Sequence, residues 1–235
     1  MKILAIDSSS MVATVAIWED NVIVAEYTIN HKKTHSQTLL PMIDEIVKMT
    51  EMDMETIDAV AITGAPGSYT GLRIGSATAK GIGLALKKPI INVPTMDAMA
   101  YNFYTSPYII CPIMDARRSQ VYTGIYRFHG TTMETIKPQC IMLIGDLIAE
   151  LDKMELPVMF LGDGVDVNKE VINEQMKNEH HFAPASMNRH QASVVASLAA
   201  IYYEEGKTEK AEEHHPDYLR ASQAERELKA KQNND

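Results

Sequence analysis

Apolar residues along this chain alternate between short runs and 3.6-residue periods. Residues 2–6 form an apolar run, 14–18 are mostly apolar and β-branched, and 22–28 are rich in valine and isoleucine. Three strands are predicted there, joined by Asp7-Ser8-Ser9-Ser10 and by Glu19-Asp20-Asn21. Residues 36–50 then carry Leu39, Leu40, Met42, Ile43, Ile46, Val47 and Met49 at helical spacing. That arc covers about half the circumference, where one core needs only about a third. Either the helix is wedged between two layers, or part of its face is kept for another protein. A strand is predicted over 57–63, then the loop Gly64-Ala65-Pro66-Gly67-Ser68-Tyr69-Thr70-Gly71, then a helix over 72–86 stopped by Lys87-Lys88-Pro89. In that helix Gly75, Ala79 and Gly83 recur every four residues. Glycine costs a helix about 1 kcal/mol relative to alanine, so the stripe points to close approach of another backbone. Arg73, Lys80 and Lys87 read as a solvated basic face.

A strand over 90–93 and a helix from Thr95 follow, and the pattern breaks over 101–107. The opening then recurs as an apolar strand over 109–115 ending in Asp115, a turn over 116–119 and a returning strand over 121–128. Such an echo predicts a duplicated fold. Beyond it lie a helix over 146–153, a strand over 158–161 ending at Gly162-Asp163-Gly164, a helix over 168–177, a polar stretch, and a helix over 191–203 apolar nearly all round. The expected organisation is an N-terminal subdomain over 1–100 and a C-terminal subdomain over 101–189. Residues 190–220 return to the first, and a disordered tail covers 221–235.

Composition is that of an ordinary globular domain, 46% hydrophobic and 23% charged over 235 residues. With 22 basic against 31 acidic residues the net charge is −9, which disfavours nucleic-acid binding by overall phosphate neutralisation. The longest uncharged interval, 98–114, is broken by Pro107 and Pro112 and is no membrane span. Asp7 follows only four apolar residues, too few for a secretory leader. Cys111 and Cys140 form no framework. A reduced, cytoplasmic protein with no membrane contact is expected.

Asp7 followed by three serines could cradle phosphate or hold a metal through water, or could simply be an Asx-type turn. The loop over 64–71 sits where a helix N-terminus attracts anions, but it matches neither a Walker A loop nor G-x-G-x-x-G. His31 and His35 lie four apart and His214 and His215 are adjacent. Without cysteine or glutamate at ligand spacing they read as solvated histidines. No Ser/His/Asp arrangement or G-x-S-x-G elbow is present.

Taken together, Ile6-Asp7-Ser8-Ser9-Ser10, His35-Ser36-Gln37 before Leu39-Leu40-Pro41, the Gly64–Gly75 string and Asp115-Ala116-Arg117-Arg118 resemble the bacterial TsaB (YeaZ) family. The resemblance is strong to about residue 128 and weaker at Gly162-Asp163-Gly164 and over 216–220. It implies an α/β fold of the actin, heat-shock-protein-70 and sugar-kinase (ASKHA) superfamily, two similar subdomains each with a mixed β-sheet flanked by helices. It also implies a scaffold subunit in N6-threonylcarbamoyladenosine modification of the tRNA adenosine beside the anticodon. The partners implied are a TsaD-like subunit, which carries the metal, and a TsaE-like ATPase, with homodimers when the chain is alone and tRNA met through the complex. Residues 94–104, matching the stretch that bears TsaD's paired metal-binding histidines, contain none. Asp7, Ser8, Gly67, Ser68, Thr70, Asp115, Arg117 and Arg118 become degenerate phosphate-loop positions. Arg117 and Arg118 would crowd a phosphate cradle, leaving them to form ion pairs or touch tRNA. Leu39, Leu40, Ile43, Val47, Gly75, Ala79 and Gly83 are the expected partner interface. No catalytic residue, metal or cofactor is expected of this chain, ATP and metal being implied for its partners. The rivals are a stand-alone ATP-dependent kinase-like enzyme of the same superfamily, or a metallopeptidase.

Overall fold

The computed structural model describes residues 1–31 and 34–216; the expectations for 217–220 and for the tail over 221–235 lie outside the described residues. The chain opens with β1 (Lys2–Asp7), β2 (Val12–Glu19) and β3 (Val22–Asn30), then α1 (His35–Met49), β4 (Ala59–Thr63), α2 (Tyr69–Leu86), β5 (Ile90–Val93) and α3 (Thr95–Tyr101). It repeats with β6 (Ile109–Arg117), β7 (Gln120–His129), β8 (Thr132–Leu143), α4 (Ile144–Asp152), β9 (Val158–Leu161), α5 (Gly164–Gln175), β10 (His180–Phe182) and α6 (Ala192–Glu204).

The two halves build sheets of one topology, β3-β2-β1-β4-β5 and β8-β7-β6-β9-β10. In each, the first strand pairs antiparallel with the second and parallel with the fourth. Central strands are buried on both faces, which is why they read as apolar runs without alternation. Two strands carry too little sequence signal. β8 has Pro138 inside it and lies at a sheet edge, the one place proline is tolerated, and β10 has three residues.

Helices cover both faces of each sheet. Leu39, Met42, Ile43 and Ile46 of α1 and Ala79 of α2 pack on Leu4, Ile6, Val15 and Ile62. Val195, Ala196 and Ala199 of α6 fill the opposite face against Ile3, Ala5 and Ile91. In the second half α4 and α5 take one face, and Met96, Met99 and Ala100 of α3 take the other against Ile110, Tyr126 and Phe128. The third helix of each half therefore crosses to the other half's sheet. So α3, all but the last residue of which falls within 1–100, packs with the second sheet. Between the crossed helices the Asp97 carboxylate accepts hydrogen bonds from the Tyr126 hydroxyl at 2.7 Å and the Tyr202 hydroxyl at 3.1 Å. Burial pushes Asp97 above the usual carboxylate range, only partly offset by those two hydrogen bonds.

The surplus apolar arc of α1 is not a wedge between layers. Its inner face packs on the sheet, while Leu40 and Met49 stay 58% and 76% exposed and Val47 is half-buried. No helix among the described residues is long and apolar enough to cross a membrane.

Candidate functional site

β1 ends in Asp7 and β6 carries Asp115 two residues before its end, and the turns that follow the two strands face a cleft of about 720 Å³ between the lobes. Ser9, Gly67, Ser68, Thr70 and Gly71 line it from the first lobe, and Asp115, Arg117 and Asp163 from the second. Every position named as a phosphate-loop remnant except Asp7, Ser8 and Arg118 borders this space.

Asp7 points away from the cleft into the chain. Its Oδ1 accepts the Ser9 backbone N–H at 2.8 Å and the Ser9 hydroxyl at 2.7 Å, and its Oδ2 faces His190 Nδ1 at 3.0 Å. The turn is thus of the Asx type, with a buried ion pair on the second oxygen. Asp7 is 1% and His190 4% exposed. Burial alone would raise Asp7, but the His190 charge and hydrogen bond, with those from Ser9, hold its carboxyl below the usual range. Burial likewise would lower His190; the charge and hydrogen bond of Asp7, helped by the charge of Asp163, keep it above its ordinary value. The His190 ring donates Nδ1–H to the Asp7 carboxylate. Its Nε2 has no protein partner among the described residues.

Three small residues let the second loop sit against this turn. A Cβ on Gly67 would come 2.5 Å from the Ser9 carbonyl oxygen. One on Gly71 would collide with the Ser8 carbonyl oxygen, and one on Gly75 with the Ser8 hydroxyl. Ser68 N–H donates to the Ser9 carbonyl at 2.6 Å, and the Ser8 hydroxyl donates to the Gly71 carbonyl at 2.9 Å. Ser8, Ser9 and Ser10 are buried by these contacts. Gly83 lets Ile90 and Ala211 approach, at 2.8 and 3.0 Å from where its Cβ would stand.

Of the seven positions expected at a partner interface, five are buried within the chain itself. Gly75, Ala79 and Gly83 serve close packing inside the chain, and Leu39 and Ile43 lie in its core. Of the seven positions only Leu40 and Val47 reach the surface, because the faces carrying the others already rest on the chain's own sheet and turn. Leu40 and Val47 are seven residues apart on one face of α1, and half-buried Val47 of α1 and Ile74 and Ile82 of α2 all pack on the same core cluster.

In the second lobe the Asp115 carboxylate accepts the Arg117 backbone N–H at 2.8 Å, again an Asx turn. Asp163 accepts the Asp115 backbone N–H at 3.3 Å, and burial pushes its carboxyl upward against the charge of His190. The histidines are not simply solvated. His35 Nε2 lies 2.7 Å from the Ser10 carbonyl, and His214 is buried with Nδ1 2.6 Å from Glu209. His31 and His215 are exposed. Among the described residues no group of three or more His, Cys, Asp or Glu side chains could hold a metal ion. His190, Asp97 and Asp163 carry roles that pattern reading did not assign. The one available signal was His190's place immediately before an all-apolar helix.

Duplicated mixed sheets, exchanged third helices and paired aspartate turns at an inter-lobe cleft define a protein of the actin, heat-shock-protein-70 and sugar-kinase superfamily. A family model described as "TsaD: tRNA N6-adenosine threonylcarbamoyltransferase" matches residues 22–228. The TsaB protein of Bacillus subtilis is 32% identical over 228 residues, 96% of each chain. That of Escherichia coli K12 is 28% identical over 99% of this chain and 100% of its own. Among solved structures, a Pseudomonas aeruginosa protein described as similar to peptidase YeaZ superposes with a TM-score of 0.79 at 24% identity, covering 93% of this chain and 99% of that one. The chain belongs to the TsaB (YeaZ) family, whose curated members are named tRNA threonylcarbamoyladenosine biosynthesis proteins, and its role is in that tRNA modification.

Proposed function

We propose that the chain is a non-catalytic, architectural subunit of this modification, acting in the cytoplasm on tRNA held by the complex. It pairs with a TsaD-like subunit that performs the transfer, beside a TsaE-like ATPase, and forms homodimers when the partner is absent. It carries no nucleotide or metal of its own.

The observation that carries this reading is the filled first turn. In a kinase-like relative that turn would present N–H groups to phosphate and its aspartate to a metal-bound water. Here both Asp7 oxygens are engaged inside the chain, and the backbone of 67–71 lies directly on Ser8 and Ser9. Docking falls to the outer face of α1 and α2, where Leu40 is exposed and Val47, Ile74 and Ile82 are only partly buried. Uncovered apolar surface of this kind marks interfaces.

Leu40→Asp with Val47→Asp tests the surface. Expected is loss of co-purification with a TsaD-like subunit while the melting temperature of the isolated chain holds; unchanged pairing overturns the docking face. Calorimetric titration with ATP and magnesium tests the turn. Stoichiometric binding with turnover would establish the kinase-like rival instead.

A further inference from the structure

The β6–β7 hairpin tip holds two guanidinium groups that the rest of the described chain does not use. Arg117, Arg118 and Ser119 stand at φ 64°, 56° and 56°. Left-handed backbone costs an L residue roughly 1–2 kcal/mol. Arg117 pairs with Gln120, so Arg118 and Ser119 are the central residues of a two-residue loop in which Asn-Gly would be relaxed. The tip is nevertheless pinned. Asp115 holds the Arg117 N–H, and the Ser119 carbonyl accepts the Ile144 N–H at 3.0 Å. Both arginines are exposed, and among the described residues neither guanidinium has an ion-pair or hydrogen-bond partner. Of the two roles open to them, the ion pair is not made among the described residues.

We propose that Arg117 and Arg118 form a phosphate grip for the backbone of an RNA strand laid along the mouth of the inter-lobe cleft. The inference rests on the architectural reading above, which supplies tRNA as the polyanion that reaches this face. Guanidinium groups match phosphate oxygens with two parallel donors. On a chain of net −9, general attraction to RNA is lacking, so contact depends on fixed local cations. Two arginines on a pinned backbone, with no partner among the described residues, meet that need, although Asp115 and Asp163 border the same cleft and keep the grip weak on its own. Phosphate contacts position a nucleic acid without reading its bases. The grip therefore orients tRNA in the assembled complex and leaves sequence choice to the partner.

The test uses the complex with a TsaD-like subunit, titrated with tRNA over a series of salt concentrations. Asparagine suits left-handed backbone better than arginine, so Arg117→Asn and Arg118→Asn remove charge without straining the tip. Expected is a fall of roughly 0.7–0.9 per lost contact in the slope of log K against log salt, equal for tRNAs of different sequence. The exposed, distant Lys153→Ala should leave the slope unchanged. An unchanged slope in the double variant, with the complex intact, overturns this inference alone. Loss of subunit pairing in that variant means the arginines meet protein carboxylates, which also overturns it. Failure of the unsubstituted chain to pair would overturn the architectural reading and this inference with it.

Discussion

Asp7 and His190 hold their buried charges only while both remain ionised, and this sets a pH window for stability. His190 sits above its ordinary 6.5, so its contribution is full below that value and is lost as pH rises through its elevated folded pKa. Asp7 sits below its ordinary 3.8, so its contribution is full above that value and fades as pH falls through the depressed folded pKa. The pair therefore stabilises most between about pH 4 and 6.5. Thermal melts should show the folded state weakening on the alkaline side of that window. His190→Gln, losing roughly 3–5 kcal/mol by leaving Asp7 uncompensated, should weaken the fold and flatten that alkaline decline; a decline of undiminished steepness would sink the assignment. The sequence exposes half of this pair. Asp7 stands out because it ends an apolar strand. His190 lies 183 residues away, and no local pattern ties one to the other.

Helix α2 shows how far periodicity reaches at the level of one element. Small residues every four positions announce close approach, and close approach is found. The spacing holds no information on what approaches, and the chain's own Asp7–Ser10 turn, Ile90 and Ala211 occupy the place expected of a partner. Strand β8 fails in the opposite direction: Pro138 erases its pattern, and pairing with β7 restores the strand. The glycines of α2 separate the two effects by mutation. Gly81 is exposed with nothing within 4 Å of its missing Cβ, so Gly81→Ala should stabilise by about 1 kcal/mol through helix propensity. Gly71→Ala sets the same propensity gain against a collision with the Ser8 carbonyl, a backbone atom unable to swing aside. Urea unfolding should give opposite signs for the two variants. Equal signs would mean that the turn does not press on α2.

Exchange of α3 and α6 between the lobes makes each half incomplete without the other. Without α6 the first sheet would expose Ile3, Ala5 and Ile91, and without α3 the second would expose Ile110 and Phe128. The duplication is legible in the recurring strand-aspartate-turn-strand pattern. The exchange is not, because an all-apolar helix fits either sheet equally well. Asp97 sits at the crossing and is the acceptor for tyrosines from β7 and α6. The whole molecule should accordingly unfold as one unit. Fluorescence of Trp18, the single tryptophan and a first-lobe core residue, should report the same transition as amide exchange in β6 and β7. Second-lobe protection outlasting exposure of Trp18 would show independent lobes. Asp97→Ala leaves the hydroxyls of buried Tyr126 and half-buried Tyr202 without their acceptor, costing roughly 1–3 kcal/mol each, and it should lower both probes together. Such coupling would let a partner docked on α1 and α2, as proposed above, influence the cleft hairpin through α6 and α3, an arrangement suited to the proposed architectural role.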